Sequence, residues 1–184
     1  MRLFIASGFS APFTERVKEI QDLAKARLGA DVKWVEPRNI HLTYAFLGSV
    51  AESRVPAATR SLEAGAGLFK KFDVALGGLG AFPSLGRPRV LWLGLEEKAP
   101  GTLNELALKI YEALSAEGFI LEHKFSAHIT IGRVKSGLSS SALSEVRRAA
   151  PGEARSLLAS VDLVESRLSG SGPEYKILAS KELL

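Results

Sequence analysis

Apolar and polar positions alternate along the chain in runs that predict short strands separated by amphipathic helices. In the first half, four apolar runs predict strands: residues 2–9, 32–35, 40–47 and 72–80. Two stretches predict helices, because their apolar positions recur every three or four residues: residues 12–28 and, more weakly, residues 53–68. A connection rich in Gly and Pro, residues 82–88, follows them.

The second half of the chain repeats this order of elements. Strands are again predicted at four places: residues 89–95, 125–134, 157–168 and 174–178. Thr102-Leu103-Asn104-Glu105 has the pattern of a capping box and predicts the start of a helix. Residues 139–149 predict a second, shorter helix.

Matching segments recur at a nearly constant distance. Arg2–Ile5 resembles Arg89–Trp92 at a distance of 87 residues, and two His-x-Thr motifs stand at the same distance. Asp73 and Asp162, on later predicted strands, are 89 residues apart. The spacing predicts a duplicated unit of strand, helix, strand, helix, strand.

The duplication predicts an α+β fold that is bilobal and pseudo-symmetric. We expect one domain, residues 1–184, built from approximate repeats 1–87 and 88–184. Each lobe should be an antiparallel sheet with helices on its outer face, because an amphipathic helix has to bury its apolar stripe. The other faces of the two sheets would line a central cleft.

The two motifs are His41-Leu42-Thr43 and His128-Ile129-Thr130. The chain has three histidines and five threonines, and random placement would put Thr two positions after two of the histidines roughly 2 times in 1,000. One such motif alone would be read as a buried or cross-strand polar pair. The symmetric pair favours a functional site.

Strand geometry predicts which side chains accompany each motif. Because side chains alternate between faces, His41 and Thr43 share a face with Ala45, while Tyr44 and Phe46 point to the core. His128 and Thr130 likewise share a face with Gly132, opposite Ile129 and Ile131. The small third residue on each motif face would leave room for a ligand.

These groups suit hydrolysis of a phosphodiester. Two histidines can act as acid and base on opposite sides of one reacting centre, since each titrates near neutrality. Two Thr hydroxyls can donate hydrogen bonds to non-bridging phosphate oxygens. A metal site is the weaker interpretation, because His123 and His128 are five positions apart and would point to opposite faces of a regular strand.

Composition narrows the setting further. Without cysteine, the chain has no disulfide, thiolate nucleophile or zinc-thiolate site, which suits a cytoplasmic protein. The net charge of +4 permits a polyanionic partner such as RNA. The apolar run at Leu3–Ala6 is too short for a signal peptide, and no apolar run is long enough to span a membrane.

At this point the chain resembles the 2H phosphoesterase superfamily, whose signature is His-x-Thr followed by a hydrophobic residue. More narrowly, it is similar to RNA 2′,3′-cyclic phosphodiesterases, also called 2′-5′ RNA ligases. Flanking segments carry this narrower resemblance: Arg2–Ala6, Asn39–Gly48, Pro88–Trp92, His128–Arg133 and Gly172–Tyr175.

The resemblance implies metal-independent hydrolysis of RNA-terminal 2′,3′-cyclic phosphates to 2′-phosphates, with 2′-5′ ligation as the reverse reaction. It implies that the enzyme needs no cofactor and is a monomer. The implied substrate is RNA with cyclic phosphate ends, such as tRNA halves. We assign His41 as acid and His128 as base, although the sequence also allows the exchanged roles. Thr43, Thr130 and Arg133 would hold the phosphate.

Arg133 poses a geometric problem, because strict alternation turns it away from His128. It reaches the site only if the strand bends or ends at Gly132, which glycine permits. Two other functions stay open. One is a 2H enzyme acting on a cyclic nucleotide or ADP-ribose cyclic phosphate, and the other is a non-catalytic RNA-binding module.

A basic groove leading from the cleft would favour RNA over a small substrate. Its candidate residues are Arg38, Lys70, Lys71, Arg87, Arg89 and Lys124. Three aromatic residues could stack on bases in a binding module: Phe9, Trp34 and Tyr175. For Phe9 we expect a place in the core instead. For Trp34 the core is at least as good an interpretation as base stacking.

Overall fold

A computed structural model describes residues 1–28, 32–121, 125–138, 140–149, 153–170 and 172–184. It has four α-helices: α1 (Ala11–Leu28), α2 (Val55–Ala66), α3 (Thr102–Ala116) and α4 (Ser140–Ala149). Its strands are β1 (Arg2–Ser7), β2 (Val32–Trp34), β3 (Leu42–Ser49), β4 (Phe72–Phe82), β5 (Val90–Glu97), β6 (His128–Val134), β7 (Arg155–Leu158), β8 (Ser160–Ser169) and β9 (Gly172–Glu182).

The strands form two antiparallel sheets. The first sheet has the order β3-β1-β8-β9, and the second has the order β2-β6-β5-β4-β7. In the first sheet β1 lies between β3 and β8, and in the second sheet β5 lies between β6 and β4. The same arrangement of three strands therefore occurs in both sheets, as the predicted duplication requires.

The two sheets do not coincide with the two halves of the sequence. β4 comes from the first half but pairs with β5, and β8 comes from the second half but pairs with β1. Each repeat thus contributes two strands to the other sheet, since β2 also comes from the first half and β9 from the second. The predicted bilobal α+β fold is confirmed, with the difference that both repeats build each lobe.

One face of each sheet is covered by helices and forms a core. Helices α2 and α3 pack on the first sheet around side chains such as Ile5, Leu62 and Ile110, all fully buried. Helices α1 and α4 cover the second sheet, where Phe13, Leu91 and Val146 are buried. The opposite faces of the sheets are left for other roles.

Two local predictions were wrong. Residues 157–168 form parts of two strands, because the chain leaves the second sheet after Leu158 and enters the first at Ser160. Both Leu158 and Val161 are buried in the same core, so the apolar pattern runs unbroken across this crossing.

The capping box at Thr102 does not form either. The Thr102 hydroxyl donates to the carbonyl oxygen of Ala99 at 3.0 Å, and the chain enters α3 through Gly101 with φ of 102°. The carboxylate of Glu97 instead accepts the backbone N–H of Leu103 at 2.5 Å and that of Gly101 at 3.3 Å. An acid at the end of β5 therefore satisfies the helix N-terminus.

Helices α2 and α3 touch at Gly65. A Cβ at this position would lie 2.7 Å from the Cα of Ile110 and 2.9 Å from its nitrogen. We expect Gly65→Ala to lower the free energy of unfolding by roughly 1–3 kcal/mol, measured by urea denaturation, because backbone cannot yield as a side chain can. Helix propensity alone would raise the free energy of unfolding by about 1 kcal/mol.

Gly86→Ala serves as the control, since a Cβ there would meet no atom within 4 Å. It should leave the free energy of unfolding nearly unchanged. An equal or higher urea midpoint for Gly65→Ala than for the wild type would contradict this account of the helix contact.

Candidate active site

The two motif histidines are held by the same backbone hydrogen bond. The Nδ1 atom of His41 lies 2.7 Å from the carbonyl oxygen of Asn39, and that of His128 lies 2.8 Å from the carbonyl oxygen of Ser126. A carbonyl oxygen only accepts, so each Nδ1 must carry the proton and donate it. This fixes the tautomer and leaves Nε2 of each ring as the nitrogen that exchanges a proton.

Aromatic rings from neighbouring strands flank each imidazole. The His41 ring lies 5.0 Å from that of Phe4 and 5.3 Å from that of Tyr175, which meets it edge-on. The His128 ring has the edge-on contact with Phe82 at 5.0 Å and lies 6.2 Å from Trp92. Each ring is therefore oriented by packing as well as by its hydrogen bond.

The protonation of His41 depends on its surroundings. Burial lowers the pKa of the His41 imidazole from its ordinary value, because the charged ring loses hydration. The hydrogen bond to Asn39 opposes this effect, while charge on His128 lowers the pKa of His41 further. The two imidazoles are therefore close enough for their charges to interact.

An extra residue follows each motif Thr in the strand pairing. Thr43 lies opposite Ala6, but the next pair along is Ala45 with Ile5, so Tyr44 has no partner. Thr130 lies opposite Trp92, and the next pair is Gly132 with Leu91. These are β-bulges, which reverse the alternation of side chains beyond them.

The bulges turn the small residues away from the cleft. Ala45 packs against the core of the first sheet. At Gly132 a Cβ would lie 2.6 Å from Cγ1 of Val32 and 3.2 Å from the indole of Trp34, both of which belong to the core side. The expectation that Ala45 and Gly132 leave room for a ligand was therefore wrong, because their size serves packing behind the strands.

The same bulges bring Phe46 and Arg133 onto the motif face. Phe46 was expected in the core, but it is 57% exposed and its ring lies 6.1 Å from that of Phe4. Arg133 was expected to face away on strict alternation. It is exposed. Burial raises the pKa of Tyr175, and the charge of Arg133 partly opposes this rise. The bend anticipated at Gly132 is thus the bulge at Ile131.

Tyr44 keeps its predicted place in the core. Its side chain is 6% exposed, and its hydroxyl lies 3.0 Å from the hydroxyl of Ser7, which donates to the carbonyl oxygen of Ser160. The Ser7 proton is thereby used, so the Tyr44 hydroxyl donates to Ser7. The buried phenol is satisfied, and burial raises its pKa.

Two residues near the site were not among the predicted site residues. The ring of Tyr175 lies 5.3 Å from that of His41, and the charge of Arg133 affects its pKa. Lys33 lies opposite Arg133 in the pairing of β2 with β6, and their side chains share a face. Only the aromatic character of Tyr175 marked it beforehand, as a possible base-stacking residue.

Other candidates fall elsewhere. Trp34 packs against the core, and Phe9 stacks on Phe13 with ring centres 4.5 Å apart. Lys70 and Lys71 lie before the start of β4, whereas the end of that strand, Phe82, reaches His128. They are therefore remote from the motifs.

Three basic candidates lie nearer the motifs. Arg89 adjoins the site, since its backbone bonds to Phe82 and to Val134, while Arg87 bonds to Ser84. The guanidinium of Arg38 pairs with Glu36 at 2.7 Å. His123 and Lys124 lie outside the described residues.

The described residues include no group of three or more His, Asp or Glu side chains placed to hold a metal ion. None of the helices in that part of the chain is long and apolar enough to span a membrane. The motif faces carry two imidazoles of defined tautomer and two Thr hydroxyls, and the face of the second motif also carries a guanidinium. Such a set can bind a phosphate and move protons on both of its sides.

Comparison with known proteins identifies a family for the whole chain. The family described as LigT like Phosphoesterase matches the chain twice, over residues 8–92 and again over residues 93–175. A protein of Archaeoglobus fulgidus named RNA 2′,3′-cyclic phosphodiesterase is 41% identical over 135 residues, or 73% of each chain. One of the same name from Methanothermobacter thermautotrophicus is 31% identical over 179 residues, or 95% of each chain.

Among solved structures, TT0787 of Thermus thermophilus superimposes with a TM-score of 0.79 at 27% identity. The superposition covers 100% of this chain and 98% of that one. The fold, the paired motifs and both halves of the sequence lead to one conclusion: the chain belongs to the LigT-like phosphoesterase family of the 2H phosphoesterases.

Proposed function

We propose that this protein hydrolyses the 2′,3′-cyclic phosphate at the end of an RNA to a 2′-phosphate. The observation that carries the proposal is the pair of His-x-Thr motifs, each with its Nδ1 proton committed to a backbone carbonyl. Relatives named RNA 2′,3′-cyclic phosphodiesterase, which match this chain over most of its length, support the same activity.

In the proposed reaction, water attacks phosphorus on the side opposite O3′. Nε2 of His128 takes a proton from this water as the P–O bond forms, and Nε2 of His41 gives a proton to O3′ as the P–O3′ bond breaks. The products are a 2′-phosphate and a free 3′-hydroxyl. With Nδ1 of each ring protonated, the reaction requires that Nε2 of His41 also carries a proton and that Nε2 of His128 does not.

The remaining groups would bind the phosphate. Thr43 and Thr130 lie on the same strand faces as the histidines and would donate to the non-bridging oxygens. The guanidinium of Arg133 would offset the negative charge that develops in the transition state. Charge stabilisation by these donors is what allows the proposed reaction to proceed without a metal ion.

The same site would also allow ligation. If a 5′-hydroxyl of a second RNA end replaces water as nucleophile, the identical displacement of O3′ leaves a 2′-5′ linkage.

We further propose a monomeric, cytoplasmic enzyme. Both motifs stand on one chain, so no second copy is needed to complete the site, and a chain without cysteine suits a reducing compartment.

Loss of either histidine should abolish most of the activity. His41→Ala and His128→Ala are each expected to lower kcat/KM on an oligonucleotide with a 2′,3′-cyclic end by roughly 10²–10⁴-fold, because each removes one proton transfer. The product of the wild-type reaction, separated by chromatography, should be the 2′-phosphate. Circular dichroism should show that both variants keep the fold.

The third histidine supplies the matched control. His123 belongs to neither motif, so His123→Ala should retain wild-type kcat/KM. Full activity in His128→Ala, or loss of wild-type activity on addition of EDTA, would refute the proposal. RNA binding without turnover would instead favour a non-catalytic module, and turnover of cyclic mononucleotides alone would favour a small substrate.

The lowered pKa of His41 makes the pH dependence informative. With one histidine as acid and the other as base, kcat/KM should give a bell-shaped pH profile with one limb at a pKa below the ordinary histidine value of about 6.5. In the complex, the phosphate anion favours the imidazolium and moves this limb of kcat to higher pH. The profile keeps this shape if the two roles are exchanged, and a kcat/KM independent of pH across this range would contradict a mechanism with two histidines.

A changed leaving group assigns the two roles independently. A substrate with sulfur in place of O3′ releases a thiolate, which leaves without a proton from an acid. His41→Ala should therefore recover a large part of the lost rate on this substrate, and His128→Ala should not. The opposite rescue would exchange acid and base.

A further inference from the structure

From the geometry of the cleft we infer that the terminal nucleobase of the substrate stacks on Phe46, on the His41 side. The inference rests on the proposed function, since it concerns the substrate of that site. It names a specificity-determining residue outside the His, Thr and Arg set, and it fixes which end of the cleft holds the nucleoside.

A row of apolar side chains crosses the cleft face of the first sheet. Phe46 lies opposite Phe4, Phe4 lies opposite Val164, and Val164 lies opposite Ile177. The two inner residues are buried, whereas Phe46 at one end is 57% exposed and Ile177 at the other is 58% exposed. The face that carries His41 therefore presents apolar surface to the cleft.

The corresponding row of the second sheet has a different chemistry. There, Lys33 lies opposite Arg133, Arg133 opposite Val90, and Val90 opposite Phe82. Arg133 is three residues beyond Thr130 and follows the bulge, just as Phe46 is three residues beyond Thr43 and follows its own bulge. The duplication thus places an aromatic ring on one side of the cleft where it places a guanidinium on the other.

This asymmetry gives the substrate a direction. The charged row, with Arg133 and Lys33 side by side, suits the phosphate, because cations stabilise its negative charge. The nucleobase is the only large, flat, apolar group of the terminal nucleotide, and the exposed ring of Phe46 offers it a face for stacking. With the base on that side, the ribose and its O3′ lie toward His41, in agreement with the proposed acid role.

Phe46 is also prepared for this contact before any substrate binds. Its ring packs 6.1 Å from that of Phe4, which itself lies 5.0 Å from the ring of His41. The bulge at Tyr44 fixes the strand that carries it. Little ordering is therefore needed on binding, which preserves the gain from stacking.

The test compares two substrates on two variants. One oligonucleotide ends in adenosine 2′,3′-cyclic phosphate, and the other ends in a 1,4-anhydroribitol 2,3-cyclic phosphate, which lacks the base. For wild-type protein, removal of the base should lower kcat/KM by roughly 5- to 150-fold, the range expected for one stacked base. Phe46→Ala should show a similar loss on the adenosine end and almost none on the base-free end.

Phe46→Trp should retain activity on the adenosine end, because it keeps an aromatic face. Ile177→Ala is the matched control, since it removes an equally exposed apolar side chain from the other end of the same row, roughly 14 Å away across three strand spacings. It should leave the preference for the base unchanged.

The outcomes separate the two proposals. If Phe46→Ala lowers kcat/KM equally on both substrates, the ring only supports the sheet, and the inference is overturned. Equal rates of the wild type on both substrates would overturn it as well, while leaving the proposed hydrolysis intact. In this comparison, absence of wild-type turnover on both substrates would argue against the proposed function itself.

Discussion

The unpaired residue that follows each motif Thr determines which side chains the cleft contains. Tyr44 and Ile131 occupy these bulges, and each is buried, so the displacement is anchored in a core. Up to the bulge, the strand displays His and Thr. Beyond it, the alternation is reversed, and Phe46 and Arg133 enter the cleft while Ala45 and Gly132 close against the core. A strand without the bulge would still display His and Thr, but Phe46 and Arg133 would face the core instead of the cleft.

Exchange of β4 and β8 between the repeats makes the two lobes interdependent. The first sheet needs β8 from the second half of the sequence, and the second sheet needs β4 from the first half. Neither half of the chain can complete a sheet or its core alone. The cleft therefore forms only when both repeats have folded together, which keeps the two motif faces in a fixed relation.

Much of the fold and the centre of the candidate site followed from the sequence, because they depend on periodicity and spacing. The equivalence of His41 and His128 came from one distance along the chain. What could not be predicted depends on contacts between segments. An apolar pattern is the same with or without a bulge, so the sequence could not predict that Phe46 and Arg133 face the cleft. The crossing at Ala159 and the cap formed by Glu97 were hidden for the same reason, since both depend on where the chain returns in space.

The choice of main-chain acceptors for the two imidazoles has an evolutionary consequence. Side-chain acceptors such as carboxylates can be removed by one substitution, but the carbonyl oxygens of Asn39 and Ser126 are present whatever residue stands there. The Asn39 side chain has a separate task, since its Nδ2 donates to the carbonyl oxygen of Pro173 at 2.9 Å and links the start of β9 to the turn before His41. Drift at positions 39 and 126 can thus alter the surroundings of the cleft while the tautomers of both rings are inherited unchanged.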